Sequence, residues 1–270
     1  MMKKNFNQSS KNNLEKYRNS SIFLLPNLFT TGCLFAGFYS MVMAMNGEFE
    51  KAAIAIFVAA VLDSLDGRVA RLTNSTSNFG KQYDSLADVV SFGVAPALFG
   101  YVWILQDLGK LGWLAAFIYV AATALRLARF NTIKASSSNS FFQGLPCPAA
   151  ATFVSAFIWM IVDFTSLGSF LFSDKWLAWS LWGIFVYCGF CMVSVLPYYS
   201  FKDAKLRKSV PFLMVVLIAL GLVLVSQDPP IILFFGLLLY SLSGIFYFLI
   251  KAYRGENLSF FSSERHFDSK

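Results

Sequence analysis

Charge is scarce in this 270-residue chain, and histidine is almost absent. Charged residues make up 14% of it, against about 25% in soluble domains. Hydrophobic residues reach 57%, with 30 Phe and 6 Trp, and the mean hydropathy is +0.58. Too little polar surface remains to clothe a globule, which excludes a soluble enzyme, a disordered chain and a coiled coil. The single histidine, His266, lies in a polar tail and offers no imidazole catalyst. The four cysteines (Cys33, Cys147, Cys188 and Cys191) all fall in apolar stretches, so no secreted disulfide framework is indicated. Cys188 and Cys191 form a CxxC, but no βαβ context accompanies it to suggest a redox role. The chain is polar up to Ser21, which speaks against a cleavable signal peptide.

Long apolar runs are plentiful. Segments near 24–45, 49–72, 80–105, 111–131, 146–165, 176–198, 209–226 and 230–251 each approach the roughly 20 residues a spanning helix needs. The expectation is an all-α membrane protein with eight transmembrane helices and a kink near Pro96. Basic residues fix its orientation. Nineteen of the 22 Lys and Arg fall on one side, and only Lys51, Lys110 and Lys175 on the other. The first side is therefore cytoplasmic and holds both termini. A net charge of +7 distributed in this way marks topology, and nucleic acid is not expected as a partner. Residues 1–21 read as a cytoplasmic arm or interfacial helix, 132–143 as a cytoplasmic loop, and 253–270 as a cytoplasmic tail.

Four carboxylates interrupt the apolar pattern: Asp63, Asp66, Asp84 and Asp88. Each costs about 2.5–3.5 kcal/mol at a helix centre on insertion scales, and less near an end. Asp63 and Asp66 share a helical face with Gly67 and Ala70; Gly80, Asp84 and Asp88 share one on the next helix. The short connection after Leu72 folds these helices antiparallel, so two acidic faces meet at their cytoplasmic ends. Carboxylates this close cannot all stay ionised without cations. Oxygen ligands with no His or Cys nearby point to Mg²⁺, Mn²⁺ or Ca²⁺ rather than zinc. Two such ions would balance four carboxylates and clamp a phosphoryl group, with Arg71 suited to phosphate. The bland alternative is four acids wetted at helix ends and paired with Arg68, Arg71 and Lys81. A cation transporter is a further alternative, but it would carry acids through both leaflets. Here they cluster at one end.

Residues 63–88 read Asp-x2-Asp-Gly-x2-Ala-Arg-x8-Gly-x3-Asp-x3-Asp. The string resembles, without departures, the signature of the CDP-alcohol phosphatidyltransferases, which transfer a phosphatidyl or related group from a CDP-linked donor to an alcohol and release CMP. The resemblance implies a bundle with its active site at the cytoplasmic face. It implies that Asp63, Asp66, Asp84 and Asp88 bind two divalent cations, Mg²⁺ or Mn²⁺, and that Asp88 is also the general base. It gives Gly67, Arg71 and Ser77 to the CDP part of the donor. Asn27 and Thr30, in Pro26-Asn27-Leu28-Phe29-Thr30, resemble a further nucleotide contact, with a helix cap as the equal alternative for Asn27.

Three more strings resemble the bacterial integral-membrane members of that family that use L-serine: Leu25–Gly32, Leu125–Asn131 and Gly144–Ala150. They imply CDP-diacylglycerol and L-serine as substrates, a bacterial inner membrane and a homodimer. They also imply a six-helix catalytic core over 22–205, followed by two additional helices over 206–252. Arg126, Arg129 and Asn131 become candidates for the serine carboxylate, against an alternative of snorkelling, positive-inside arginines. Another family member, such as a phosphatidylglycerophosphate synthase, stays open as the alternative activity.

Overall fold

The computed structural model describes residues 27–72, 77–132, 141–166, 173–194, 196–199, 220–221, 223 and 226–253. Within them run seven long helices: α1 (Asn27–Met45), α2 (Phe49–Leu72), α3 (Asn78–Trp103), α4 (Lys110–Thr132), α5 (Cys147–Ser166), α6 (Asp174–Val193) and α7 (Pro229–Tyr253). Two three-residue strands, β1 (Phe141–Gln143) and β2 (Pro197–Tyr199), pair antiparallel with Phe142 opposite Tyr198. They are the one departure from an all-helical architecture among the described residues. Part of the segment expected to be a plain loop is thus tied down by a ladder.

The expectation of eight spans is corrected. Six helices among the described residues are long and apolar enough to cross a membrane: α1, α3, α4, α5, α6 and α7 as far as Ile250. Of the other two expected segments, 49–72 does form a helix. However, Glu50, Lys51, Asp63, Asp66, Arg68 and Arg71 break its apolar run, so the acids that draw attention to α2 also disqualify it as an ordinary span. The segment 209–226 lies almost wholly outside the described residues, as do the arm 1–21, the tail beyond Tyr253 and the expected boundary at 205.

Small residues let the helices approach, as packing in lipid favours. A Cβ on Gly37 of α1 would lie 2.6 Å from the Ser91 backbone of α3, and the Ser91 hydroxyl donates to the Cys33 carbonyl at 3.1 Å. Likewise Ser40 of α1 donates to the Ala52 carbonyl of α2 at 2.8 Å. The core between helices is built from Ala52, Ile56, Phe92, Phe99, Tyr119, Val154 and Phe185, all fully buried.

Helix α3 is not uniform. Its α-helical stretch Asn78–Asp88 passes into a π-helical turn, Val89–Val94, before α-geometry resumes at Ala95–Trp103. Pro96 cannot donate to the carbonyl four residues back, that of Phe92. The Tyr119 hydroxyl of α4 does so instead, at 3.0 Å. The irregularity begins at the residue after Asp88, and such π-turns often accompany functional positions.

Candidate active site

Alternating helix directions bring five helix ends together: the start of α1, the end of α2, the start of α3, the end of α4 and the start of α5. The start of α3 is defined by Ser77, whose hydroxyl caps the helix by accepting the Gly80 amide at 2.9 Å. This cap satisfies a first-turn amide and marks where the helix that carries Asp84 and Asp88 begins.

Asp63 from α2 meets Asp84 and Asp88 from α3. One carboxylate oxygen from each lies within 4.8 Å of the others, and all three residues are half-buried. Asp88 Oδ1 is buried and has no hydrogen-bond partner. A buried, unpartnered carboxylate oxygen beside two further carboxylates is costly unless a cation joins them. Three hard oxygen ligands can hold a divalent cation of the Mg²⁺ or Mn²⁺ kind. The residues present fit that ion.

Asp66 stands apart from this trio. It is buried, at 7% exposure, and accepts a hydrogen bond from the Thr30 hydroxyl of α1. Two residues expected to serve different ligands are thus bonded to each other. Asn27 reaches the same corner. A Cβ on Gly80 would lie 3.4 Å from Asn27 Oδ1 and 3.1 Å from Ser77 Oγ. Gly67 is exposed, and a Cβ added there meets nothing within 4 Å. Packing inside the chain therefore does not require glycine at 67. Arg71 lies in the last turn of α2, and its side chain falls outside the described residues.

The candidate serine residues separate. Arg126, half-buried on α4, donates from Nη1 to Cys147 Sγ of α5 at 3.2 Å. Its Nε is buried without a hydrogen-bond partner. Arg129 is half-buried one turn further along. Asn131 is exposed and donates to the Ser85 hydroxyl of α3 at 2.9 Å, tying the end of α4 to the acidic helix.

Three participants carry no mark in the sequence that assigns them a place here. Cys147 was legible only as one cysteine in an apolar run, although it stands inside the Gly144–Ala150 string. Tyr83 shares a hydrogen bond of 2.9 Å with Thr31, and Ser85 has the partner just described. Both meet their partners through the packing of α3 against α1 and α4, which spacing within one helix does not carry.

The family pattern described as CDP-alcohol phosphatidyltransferase matches residues 23–188, a stretch that includes every residue of the acidic cluster. The chain belongs to the CDP-alcohol phosphatidyltransferase family. It is an enzyme of that class and a multi-pass membrane protein. Over 239 residues it is 37% identical to the CDP-diacylglycerol--serine O-phosphatidyltransferase of Helicobacter pylori strain J99, covering 88% of this chain and 98% of that relative. The enzyme of the same description from Mycobacterium leprae is 40% identical over 147 residues, 52% of this chain and 48% of the relative. The archaetidylserine synthase of Methanothermobacter thermautotrophicus is 39% identical over 140 residues, 51% and 59% respectively.

Proposed function

We propose that this enzyme transfers the phosphatidyl group of CDP-diacylglycerol to the hydroxyl of L-serine, giving phosphatidylserine and CMP. The observation that carries the reading is the similarity to a serine-using relative over 98% of that relative's length. The reaction takes place at the cytoplasmic side of a bacterial inner membrane, the side marked by Arg68, Lys81, Arg126 and Arg129. The family resemblance makes a homodimer part of this reading.

Asp63, Asp84 and Asp88 would hold one divalent cation, and Asp66 would serve a second. Bound there, the cations supply charge neutralisation for the diphosphate and for departing CMP. The chain's own groups do the rest. The Asp88 carboxylate takes the serine hydroxyl proton, through an oxygen not engaged by a cation, as the serine oxygen bonds to the phosphorus that carries diacylglycerol. The bond from that phosphorus to the bridging oxygen of the diphosphate breaks, and CMP leaves with the electron pair. Proton removal must accompany attack, because the hydroxyl pKa lies far above neutrality. Gly67, where an added Cβ would meet nothing within 4 Å, leaves room on its helix face for the nucleotide. Thr30 positions Asp66, Asn27 and Ser77 line the donor side, and the family resemblance gives Arg71 to the donor as well.

Arg126 takes the serine carboxylate, with Arg129 the next cation along α4, while Asn131 ties the end of α4 to Ser85. A guanidinium offers a charge-assisted, bidentate contact that an ammonium cannot copy. Arg126→Lys is therefore expected to raise the KM for serine by roughly 10–150-fold, equivalent to about 1.5–3 kcal/mol, with a smaller change for CDP-diacylglycerol. Titrating each substrate at saturation of the other checks this. A parent-like Lys variant would reduce Arg126 to a membrane anchor. An enzyme that ignores serine and accepts glycerol 3-phosphate would overturn the alcohol assignment.

A further inference from the structure

Cys147 is fully buried at the first position of α5, and its Sγ accepts from Arg126 Nη1 at 3.2 Å. We propose that Cys147 is a positioning residue: by engaging Nη1 it leaves the Nε–Nη2 edge of the guanidinium to the carboxylate of the alcohol substrate. The proposal rests on the reading that Arg126 takes the serine carboxylate.

A guanidinium can grip a carboxylate with two parallel hydrogen bonds along either of two edges, Nη1 with Nη2 or Nε with Nη2. Engaging Nη1 with the thiol disfavours the first. On the second edge, Arg126 Nε is buried and has no hydrogen-bond partner. A buried donor on a charged group is costly until something accepts from it, and a carboxylate on that edge would do so. The two nitrogens thus point the same way, one held by the protein and the other left for a ligand. An arginine has a long, flexible stem, and restraining its fork before substrate arrives removes an ordering cost from binding.

Cys147 can act as a restraint because the chain around it is itself held. Gln143 of β1 stands opposite Pro197 of β2. The Gly144 amide then donates to the Leu196 carbonyl at 2.9 Å, and the Leu145 amide to the Cys191 carbonyl at 3.0 Å. Gly144 has a φ of 76°, a conformation glycine adopts without penalty, and a Cβ there would lie 2.4 Å from the Met192 carbonyl oxygen. The Pro146 carbonyl accepts from the Ala150 amide at 3.0 Å, closing the first turn of α5. The arginine's own helix is anchored to the same place. Thr123, one turn before Arg126, donates to Met192 Sδ at 3.6 Å. The thiol and the stem of the arginine are therefore both referenced to the end of α6.

In the full-length enzyme, Cys147→Ala removes the acceptor, whereas Cys147→Ser keeps one in nearly the same place. Cys147→Ala should raise the KM for L-serine by about three- to tenfold, with kcat, the KM for CDP-diacylglycerol and the melting temperature near the parent. Cys147→Ser should stay close to the parent in all four. Adding Cys147→Ala to Arg126→Lys should cause little further loss, because the group it positions is already gone. A Cys147→Ala enzyme indistinguishable from the parent would overturn the proposal, and the serine reading would survive if Arg126→Lys alone loses serine affinity. Cys147→Ser as impaired as Cys147→Ala would also overturn it, as would a fall in melting temperature that moves both KM values together. If Arg126→Lys and Cys147→Ala both raise only the KM for CDP-diacylglycerol, the positioning role stands and the serine reading of Arg126 fails.

Discussion

Asp88→Asn is expected to reduce phosphatidyl transfer by at least about 10²-fold while leaving CDP-lipid binding largely intact. The amide keeps the volume of the carboxylate and removes its capacity to accept a proton. Asp88 is the residue whose buried Oδ1 has no hydrogen-bond partner in the protein, so its carboxylate can meet a cation and a substrate proton without first breaking a protein contact. Asp63 and Asp84 remain to hold a cation and, through it, the diphosphate. Equilibrium binding of a labelled CDP-lipid and single-turnover transfer, measured on the same preparation, separate the two roles. Donor binding lost in parallel with turnover would make Asp88 chiefly a ligand for the metal that holds the donor.

Asp63→Asn and Asp84→Asn should behave differently, losing metal binding and turnover together. Each removes one of three carboxylates whose oxygens lie within 4.8 Å of one another. Like charges this close destabilise the cation-free protein, so an isosteric amide relieves repulsion. The melting temperature without metal should hold or rise, while the stabilisation that added Mg²⁺ or Mn²⁺ gives the parent should disappear. A marked loss of cation-free stability would assign these acids to holding the fold instead.

The contrast between these variants follows from a motif that sequence spacing makes unusually readable. Asp84 and Asp88 are one helical turn apart, so they share a face whatever surrounds them, and the short connection after Leu72 leaves α2 little choice of direction. Asp63 accordingly meets both. Spacing did not separate Asp66 from the trio, because its bond to Thr30 depends on how α1 packs across α2. The same limit hid Cys147, which reaches Arg126 from α5. Contacts between helices depend on rotational settings that no single-helix periodicity carries. Apolar length alone also overcounted the spans. It located α2 correctly as a helix, but the acids and arginines near its end keep it from being an apolar span. The strands β1 and β2 were invisible for a related reason, since three-residue pairings across a long sequence separation leave no periodic trace.

The most direct test of the whole account is CMP release from CDP-diacylglycerol and L-serine by the purified enzyme, with divalent cations first removed by chelation and then restored. Carboxylates gathered at one point, one of them with an unpartnered buried oxygen, predict no turnover in chelated buffer. They predict recovery on adding Mg²⁺ or Mn²⁺, with CMP and phosphatidylserine formed in equal amounts. Full turnover in metal-free buffer would contradict the account at its centre.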